Sequence, residues 1–329
     1  MIKLAVDMMG SDKGPETLAQ SVLKYVKEHR DVSFTCFGDE KILSPLFAGQ
    51  ERVEVVNTTE IIPMEVKPLD FLRKRDSSMY KAIQAVQEEQ CQGVVSAGST
   101  GGFISGATIL LRNIEGVTRA GLCAAFPTAD KKKAAVILDV GANNVNTGAD
   151  LVCFAKMGSI YAREILHVEH PQVYTLSNGV EEGKGTDEVV DAYHQMKEMN
   201  FPGFMGNSEA REVLDGKHDV IVTTGFAGNI LLKSTEGTAG LMNSLIKKAF
   251  TKNLFTKIGY LLSKKGFQEM KENMNYKKYG GAILMGVNGV AVKGHGNSDS
   301  YAFYNAIDVA VRMVKSDIVE KIRSTLKND

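Results

Sequence analysis

The stretch Ala134-Ala-Val-Ile-Leu-Asp-Val-Gly-Ala-Asn143 decides the fold. Its apolar residues run without alternation into Asp139, and a glycine-bearing polar turn follows. A strand that is apolar on both faces belongs in a parallel sheet covered by helices on both sides. A helical pattern near Ala149–Ile165 comes next, as a strand–helix crossover requires. The same pattern recurs outward along the chain. IKLAV (2–6), VSFTCF (32–37), VEVV (53–56), GVVSA (93–97), VYTL (173–176), FMG (204–206) and DVIVTT (219–224) read as strands. Pro15 opens a helix with Leu18, Val22, Leu23 and Val26 on one face. Further helices are expected at Met79–Glu89 and Thr100–Leu111, and a long closing helix from about Ser298 to Leu326. The expectation is a three-layer α/β/α fold with a mostly parallel sheet, one continuous unit over 1–329. From about Gly228 to Lys278 no strand signal appears, only two helical stretches. That segment, about 230–278, is expected to protrude as a helical pair.

Composition narrows the class. The chain has 329 residues, enough to bury a core without disulfides or structural metals. Thirty-nine basic residues balance 39 acidic ones, so no global field attracts nucleic acid. Cys36, Cys91, Cys123 and Cys153 show no metal-ligand spacing and sit among apolar residues, as free thiols do in a reducing cytosol. The N-terminal MIKLAVDMMGSD lacks the long apolar core of a signal peptide, and no apolar run is long enough to span a bilayer. A cytoplasmic location is expected.

Several strands end in polar, glycine-bearing turns: 7–12, 96–102, 139–143, 177–185, 206–208 and 224–229. In open parallel sheets ligands bind outside the carboxyl ends of strands. Glycine lets backbone approach closely, and helix N-termini present free N–H groups to an anion. A single such turn does no more than end a strand; several carrying Ser, Thr, Asn and Lys point to a phosphate-like anion. No GxGxxG, HExxH or GxSxG is present, and Gly179–Gly185 departs from the P-loop pattern twice, with one residue too few before Gly183-Lys184 and Gly185 in place of Ser/Thr. Lys184 between two glycines is the most suggestive cation, against the plainer reading of a solvated loop lysine. His295, in Lys293-Gly-His-Gly-Asn-Ser-Asp-Ser300, precedes a helix start capped by Ser298 or Asp299, and an incidental histidine in a capping turn is the alternative.

In combination these motifs resemble the bacterial phosphate acyltransferases of phospholipid synthesis. AVDMMGSD, RKRDSSM (73–79), SAGSTGG, LDVGAN, MGS (157–159), GNSEAR, TGFAGN, YGGA (279–282) and KGHGNSD carry the resemblance from end to end. The family's first loop usually reads DAMGGD, followed by His-Ala-Pro. Here Ser11 replaces the second Gly, and Lys13-Gly14 precede Pro15. Ser99 stands where Asn is usual, and Thr224 and Ala227 stand in a loop that usually reads DGFTGN.

The resemblance implies a Rossmann-like sheet similar to isocitrate and isopropylmalate dehydrogenases and to phosphotransacetylases. It further implies a homodimer that moves a fatty acyl chain from acyl carrier protein to inorganic phosphate, with no cofactor. The product would feed a membrane acyltransferase acting on glycerol 3-phosphate, a further partner. Phosphate is already an anionic nucleophile and the thiolate, of parent pKa about 8.5, leaves readily. The remaining tasks are to bind, align and stabilise an oxyanion. Lys184, Asn229 and His295 are accordingly the candidate catalytic residues. Gly98, Ser99, Thr100, Gly101, Asn143, Gly225, Gly228 and Ser298 are the candidate phosphate or substrate contacts. No metal ligands are expected; Asp7, Asp12 and Asp139 are read as loop-orienting.

Residues 247–278 carry nine lysines and two glutamates, a net charge of +7. Leu254, Phe255, Ile258, Leu261 and Leu262 lie among them, beside Lys264 and Lys265. Such a tip suits an anionic membrane surface or an acidic carrier protein, and a dimer interface with a solvated lysine face is the alternative. Two other functions remain: a nicotinamide-dependent decarboxylating dehydrogenase, which needs a divalent metal, and a scaffold that binds acyl carrier protein without turnover.

Overall fold

The computed structural model describes residues 1–327. The first half holds β1 (Ile2–Asp7), α1 (Gly14–Glu28), β2 (Val32–Gly38), α2 (Glu40–Leu46), β3 (Val53–Asn57) and α3 (Pro68–Arg73). It continues with α4 (Ser78–Gln87), β4 (Gly93–Ser96), α5 (Thr100–Leu111), β5 (Gly121–Pro127), β6 (Ala134–Leu138) and α6 (Gly148–Glu164). Then come β7 (Val173–Ser177), α7 (Asp187–Glu198), β8 (Phe204–Glu209), β9 (Val220–Val222), α8 (Gly225–Thr251) and α9 (Leu254–Asn273). The chain closes with β10 (Ala282–Met285), β11 (Val290–Lys293), α10 (Ser300–Lys315) and α11 (Ile318–Lys327).

These strands form one sheet in the order β3-β2-β1-β4-β11-β10-β5-β6-β9-β7-β8. The first five are mutually parallel, and so are the last four. Between them β10 is antiparallel to both neighbours, and β5 is antiparallel to β6. The two parallel blocks therefore run in opposite directions. The turns after β1, β4 and β11 leave one edge of the sheet, and those after β6, β7 and β9 leave the other. This corrects the picture of a single carboxyl edge collecting every glycine turn.

Local chemistry explains the helices. Pro15 sits in the first turn of α1, which buries Leu18, Val22, Tyr25 and Val26. Thr147 and Asp150 form a reciprocal capping box at the start of α6. Asp299 caps α10 through the Ala302 N–H at 2.9 Å. The expected single closing helix is two, α10 and α11, broken at Ser316–Asp317 where Asp317 takes φ +52°. Gly206-Asn-Ser208, expected as a turn, lies inside β8.

Helices α8 and α9 differ from the rest. Of the 27 residues of α8 only Gly225 and Gly228 are buried, and α9 has no buried residue. Phe250, on α8, meets Phe267 of α9 with ring centroids 4.7 Å apart, and Tyr260 stacks on Phe267. This aromatic cluster ties the two helices into a hairpin.

Candidate active site

Helix α8 begins against the turn after β6 and crosses the sheet. Gly225 and Gly228 make the approach possible. A Cβ on Gly225 would lie 2.1 Å from the Asn143 carbonyl oxygen, and one on Gly228 1.9 Å from that of Asp139. Asp139 is fully buried and holds this turn as an acceptor. It takes hydrogen bonds from the N–H groups of Leu122, Gly141, Ala142 and Asn143 at 2.8–2.9 Å, and from Nδ2 of Asn143 at 2.8 Å. Nδ2 of Asn143 donates as well to the Ala120 carbonyl at 2.8 Å.

From Gly225 to Glu236 the helix rises about 16 Å, which carries it to the opposite edge, where Glu236 acts electrostatically on His295. Beneath α8 and α9 lies a cavity of about 1100 Å³. Its body is apolar, lined by Leu122, Ala124 and Phe126 of β5 with Leu214, Leu232 and Met270. One end is polar, formed by Asp12, Gly98, Thr100, Lys293, His295 and Ser298.

That polar end is built on a second buried carboxylate. Asp7 accepts from the hydroxyls of Ser78 at 2.6 Å and Ser96 at 2.7 Å, and Ser96 Oγ accepts from the Gly98 N–H at 3.0 Å. The turns after β1 and β4 meet at two glycines: a Cβ on Gly10 would sit 2.6 Å from Gly98 Cα. The turn after β11 joins them through the Asp12 N–H to the Gly296 carbonyl at 3.0 Å.

His295 is an exposed residue that lines this end of the cavity. Its Nδ1 accepts the Asn297 N–H at 3.3 Å. Burial lowers its pKa below the ordinary histidine value; Lys233 and Lys293 act in the same direction, and Glu236 and Asp12 oppose them. At neutral pH the imidazole is therefore uncharged, with its proton on Nε2. Lys293 ends β11, is 5% exposed, and donates to the Gly294 carbonyl. Burial brings its pKa down to about 8, with Lys233 contributing, while Asp7 and Asp12 hold it up.

The structure divides the sequence candidates. Gly98, Thr100, Asn229, His295 and Ser298 line the cavity. Ser99 caps α5: its Oγ accepts from the Gly102 N–H at 3.2 Å and donates to the Met64 carbonyl at 2.7 Å. Gly101 is exposed. Asn143, Gly225 and Gly228 hold α8 to the turn after β6, as described. Lys184 is exposed on the turn after β7, outside the cavity, at the sheet edge opposite His295. Lys293 was not singled out from sequence. Its signal was a cation ending the apolar run Val290-Ala-Val, directly before Gly-His-Gly.

At the hairpin tip Leu254, Phe255, Ile258, Leu261 and Leu262 are exposed, Phe255 by 84% and Leu262 by 85%, and Lys264 and Lys265 lie beside them in solvent. No helix among the described residues is long and apolar enough to cross a membrane. Among the same residues no group of three or more His, Cys, Asp or Glu is placed to hold a metal ion.

With this geometry established, known proteins can be compared. Solved structures share the architecture. A phosphotransacetylase from Streptococcus pyogenes aligns with a TM-score of 0.61 at 14% identity, covering 95% of this chain and 94% of that one. A 4-hydroxythreonine-4-phosphate dehydrogenase from Klebsiella pneumoniae gives 0.53 at 13% identity, covering 95% and 98%. These likenesses concern the fold, and they place the mixed α/β sheet in the class the sequence implied. Sequence relatives are nearer. A phosphate acyltransferase of Alkaliphilus oremlandii is 40% identical over 326 residues, covering 98% of this chain and 96% of that protein. One of Mycoplasma capricolum is 36% identical over 334 residues, covering all of both. The profile of a family described as "Fatty acid synthesis protein" matches residues 2–321. The chain belongs to this family, the phosphate acyltransferases.

Proposed function

We propose that this phosphate acyltransferase moves a fatty acyl group from acyl carrier protein to inorganic phosphate inside the cavity under α8 and α9. One observation carries the reading: an apolar cavity ends in a polar pocket lined by an uncharged histidine. The apolar body suits an acyl chain, where each buried methylene is worth about 0.8 kcal/mol. The polar end suits the reacting groups. An oxygen of hydrogen phosphate attacks the thioester carbonyl carbon, the tetrahedral intermediate collapses, the C–S bond breaks, and the thiolate takes up the proton that the phosphate gives up. Nε2–H of His295 is a donor for the developing oxyanion or for the departing sulfur.

The acyl phosphate would then serve a membrane acyltransferase acting on glycerol 3-phosphate. The exposed apolar tip with its flanking lysines supports docking on an anionic membrane surface from the cytoplasmic side and contact with an acidic carrier protein. Exposed Phe226, Ile230, Leu241, Met242 and Leu245 along α8 support a homodimer.

The test is to incubate the protein with acyl-[acyl carrier protein] and labelled phosphate, without added metal or nicotinamide cofactor. Labelled acyl phosphate is expected. Association with the carrier protein but no product would favour the scaffold, and turnover that requires nicotinamide would favour the dehydrogenase.

A further inference from the structure

Four lysines line the cavity, and three of them are already neutralised. Lys131 lies 3.4 Å from Glu269, Lys233 2.9 Å from Glu236, and Lys277 2.5 Å from Asp299. Lys293, the most deeply buried of the four, makes no salt bridge among the described residues. Its ammonium has three N–H groups, and one goes to the Gly294 carbonyl. Asp7 and Asp12 favour the Lys293 charge from a distance, but no carboxylate oxygen pairs with the ammonium directly, so a ligand of opposite charge would offset the remaining cost of burial. Asp12 lines the same end, beside Gly296: a Cβ on that glycine would lie 3.0 Å from Asp12 Oδ2.

We propose that Lys293 and Asp12 form the subsite for the hydrogen phosphate reactant, with the ammonium donating to its anionic oxygens and the carboxylate accepting from its remaining hydroxyl. The proposal rests on the acyl-transfer reading for its role in turnover, though phosphate binding itself does not need turnover. It gives the reactants an order. Phosphate sits against the turns after β1, β4 and β11, the thioester carbonyl lies beside His295, and the acyl chain extends along β5 under α8. Below pH about 8 Lys293 is protonated. Asp7, Asp12, Lys233 and His295 are the charged or titratable groups around it. An arriving dianion favours the ammonium further. The carboxylate gives the subsite selectivity as well: sulfate matches the shape and charge of hydrogen phosphate but has no hydroxyl to offer Asp12.

The experiment compares wild type, Lys293→Met and Asp12→Asn. Thermal stabilisation by inorganic phosphate and by sodium sulfate is measured without acyl donor, and initial rates are measured against phosphate in the full assay. In wild type, phosphate should stabilise and sulfate should do so at least tenfold more weakly. Lys293→Met should lose phosphate stabilisation and raise the phosphate KM at least tenfold, with the acyl-donor KM within threefold. Asp12→Asn should narrow the gap between phosphate and sulfate. If folded Lys293→Met keeps the wild-type phosphate response and KM, the subsite is wrong. If wild type makes no acyl phosphate, the reaction assignment fails, and the stabilisation series still decides the subsite.

Discussion

The Asn297 backbone N–H donates to Nδ1 of His295 at 3.3 Å. That bond leaves Nε2 as the proton-bearing nitrogen of the neutral ring. Because desolvation lowers the His295 pKa, the neutral ring persists to lower pH than in a free histidine. At saturating phosphate the acid-side loss of turnover should begin only below the ordinary histidine range, when protonation turns Nδ1 into a donor facing the Asn297 N–H. His295→Gln should lower kcat by about 10²–10³-fold, the usual effect of losing an oxyanion donor, with little change in the phosphate KM. A kcat within threefold of wild type would remove His295 from the chemistry.

The cavity body makes a claim about chain length. Ala239 lines it from α8 and is half-buried, on a helix with few core contacts. Ala239→Phe should therefore fold and shorten the space for the chain. If four methylenes lose their burial, about 3 kcal/mol is lost, near a hundredfold in KM for a long-chain donor. A short-chain donor should be unaffected. Equal effects on both donors would mean that the chain lies elsewhere.

Gly228 tests the seating of α8. With a Cβ 1.9 Å from the Asp139 carbonyl oxygen, Gly228→Ala cannot be absorbed by a side-chain rotation. Destabilisation of about 1–3 kcal/mol is expected, read as a lower Tm. A Tm equal to wild type would show that the helix does not sit on that turn as described.

Lys293 links function to stability. Its pKa of about 8 in the folded chain lies below the ordinary 10.5, so between those values the unfolded chain binds more protons and stability rises with pH. At pH 7, without phosphate, the buried charge costs about 3 kcal/mol. Lys293→Met should raise stability at pH 7 by up to that amount and flatten the pH dependence of Tm between pH 8 and 10. A less stable Met variant at pH 7 would contradict the burial cost.

The helical tip predicts lipid binding. Liposomes containing anionic lipid should co-sediment the wild-type protein, and doubly substituted Leu261→Glu, Leu262→Glu should stay in the supernatant. Unchanged sedimentation of the double variant would take the membrane role away from this tip.

Much of the fold was legible because long, continuous apolar runs such as 134–138 admit few alternatives. The missed strands were β5, rich in small residues, and the four-residue β10 and β11. Those are the elements that reverse the sheet. Strand direction depends on the pairing partner, which no local pattern reports, so the separation of Lys184 from His295 was hidden. The glycine signal was real but had mixed causes. At Gly225 and Gly228 close helix packing accounts for it, whereas Gly98 lines the cavity. Lys293 went unnoticed because the strand that buries it went unnoticed.

The most direct test is a crystal structure of the protein with a long-chain acyl phosphate bound. The account predicts the chain between β5 and α8, and the phosphoryl group within hydrogen-bond distance of Lys293 Nζ. A phosphoryl group bound instead at Lys184, on the exposed turn after β7, with an empty cavity, would contradict it.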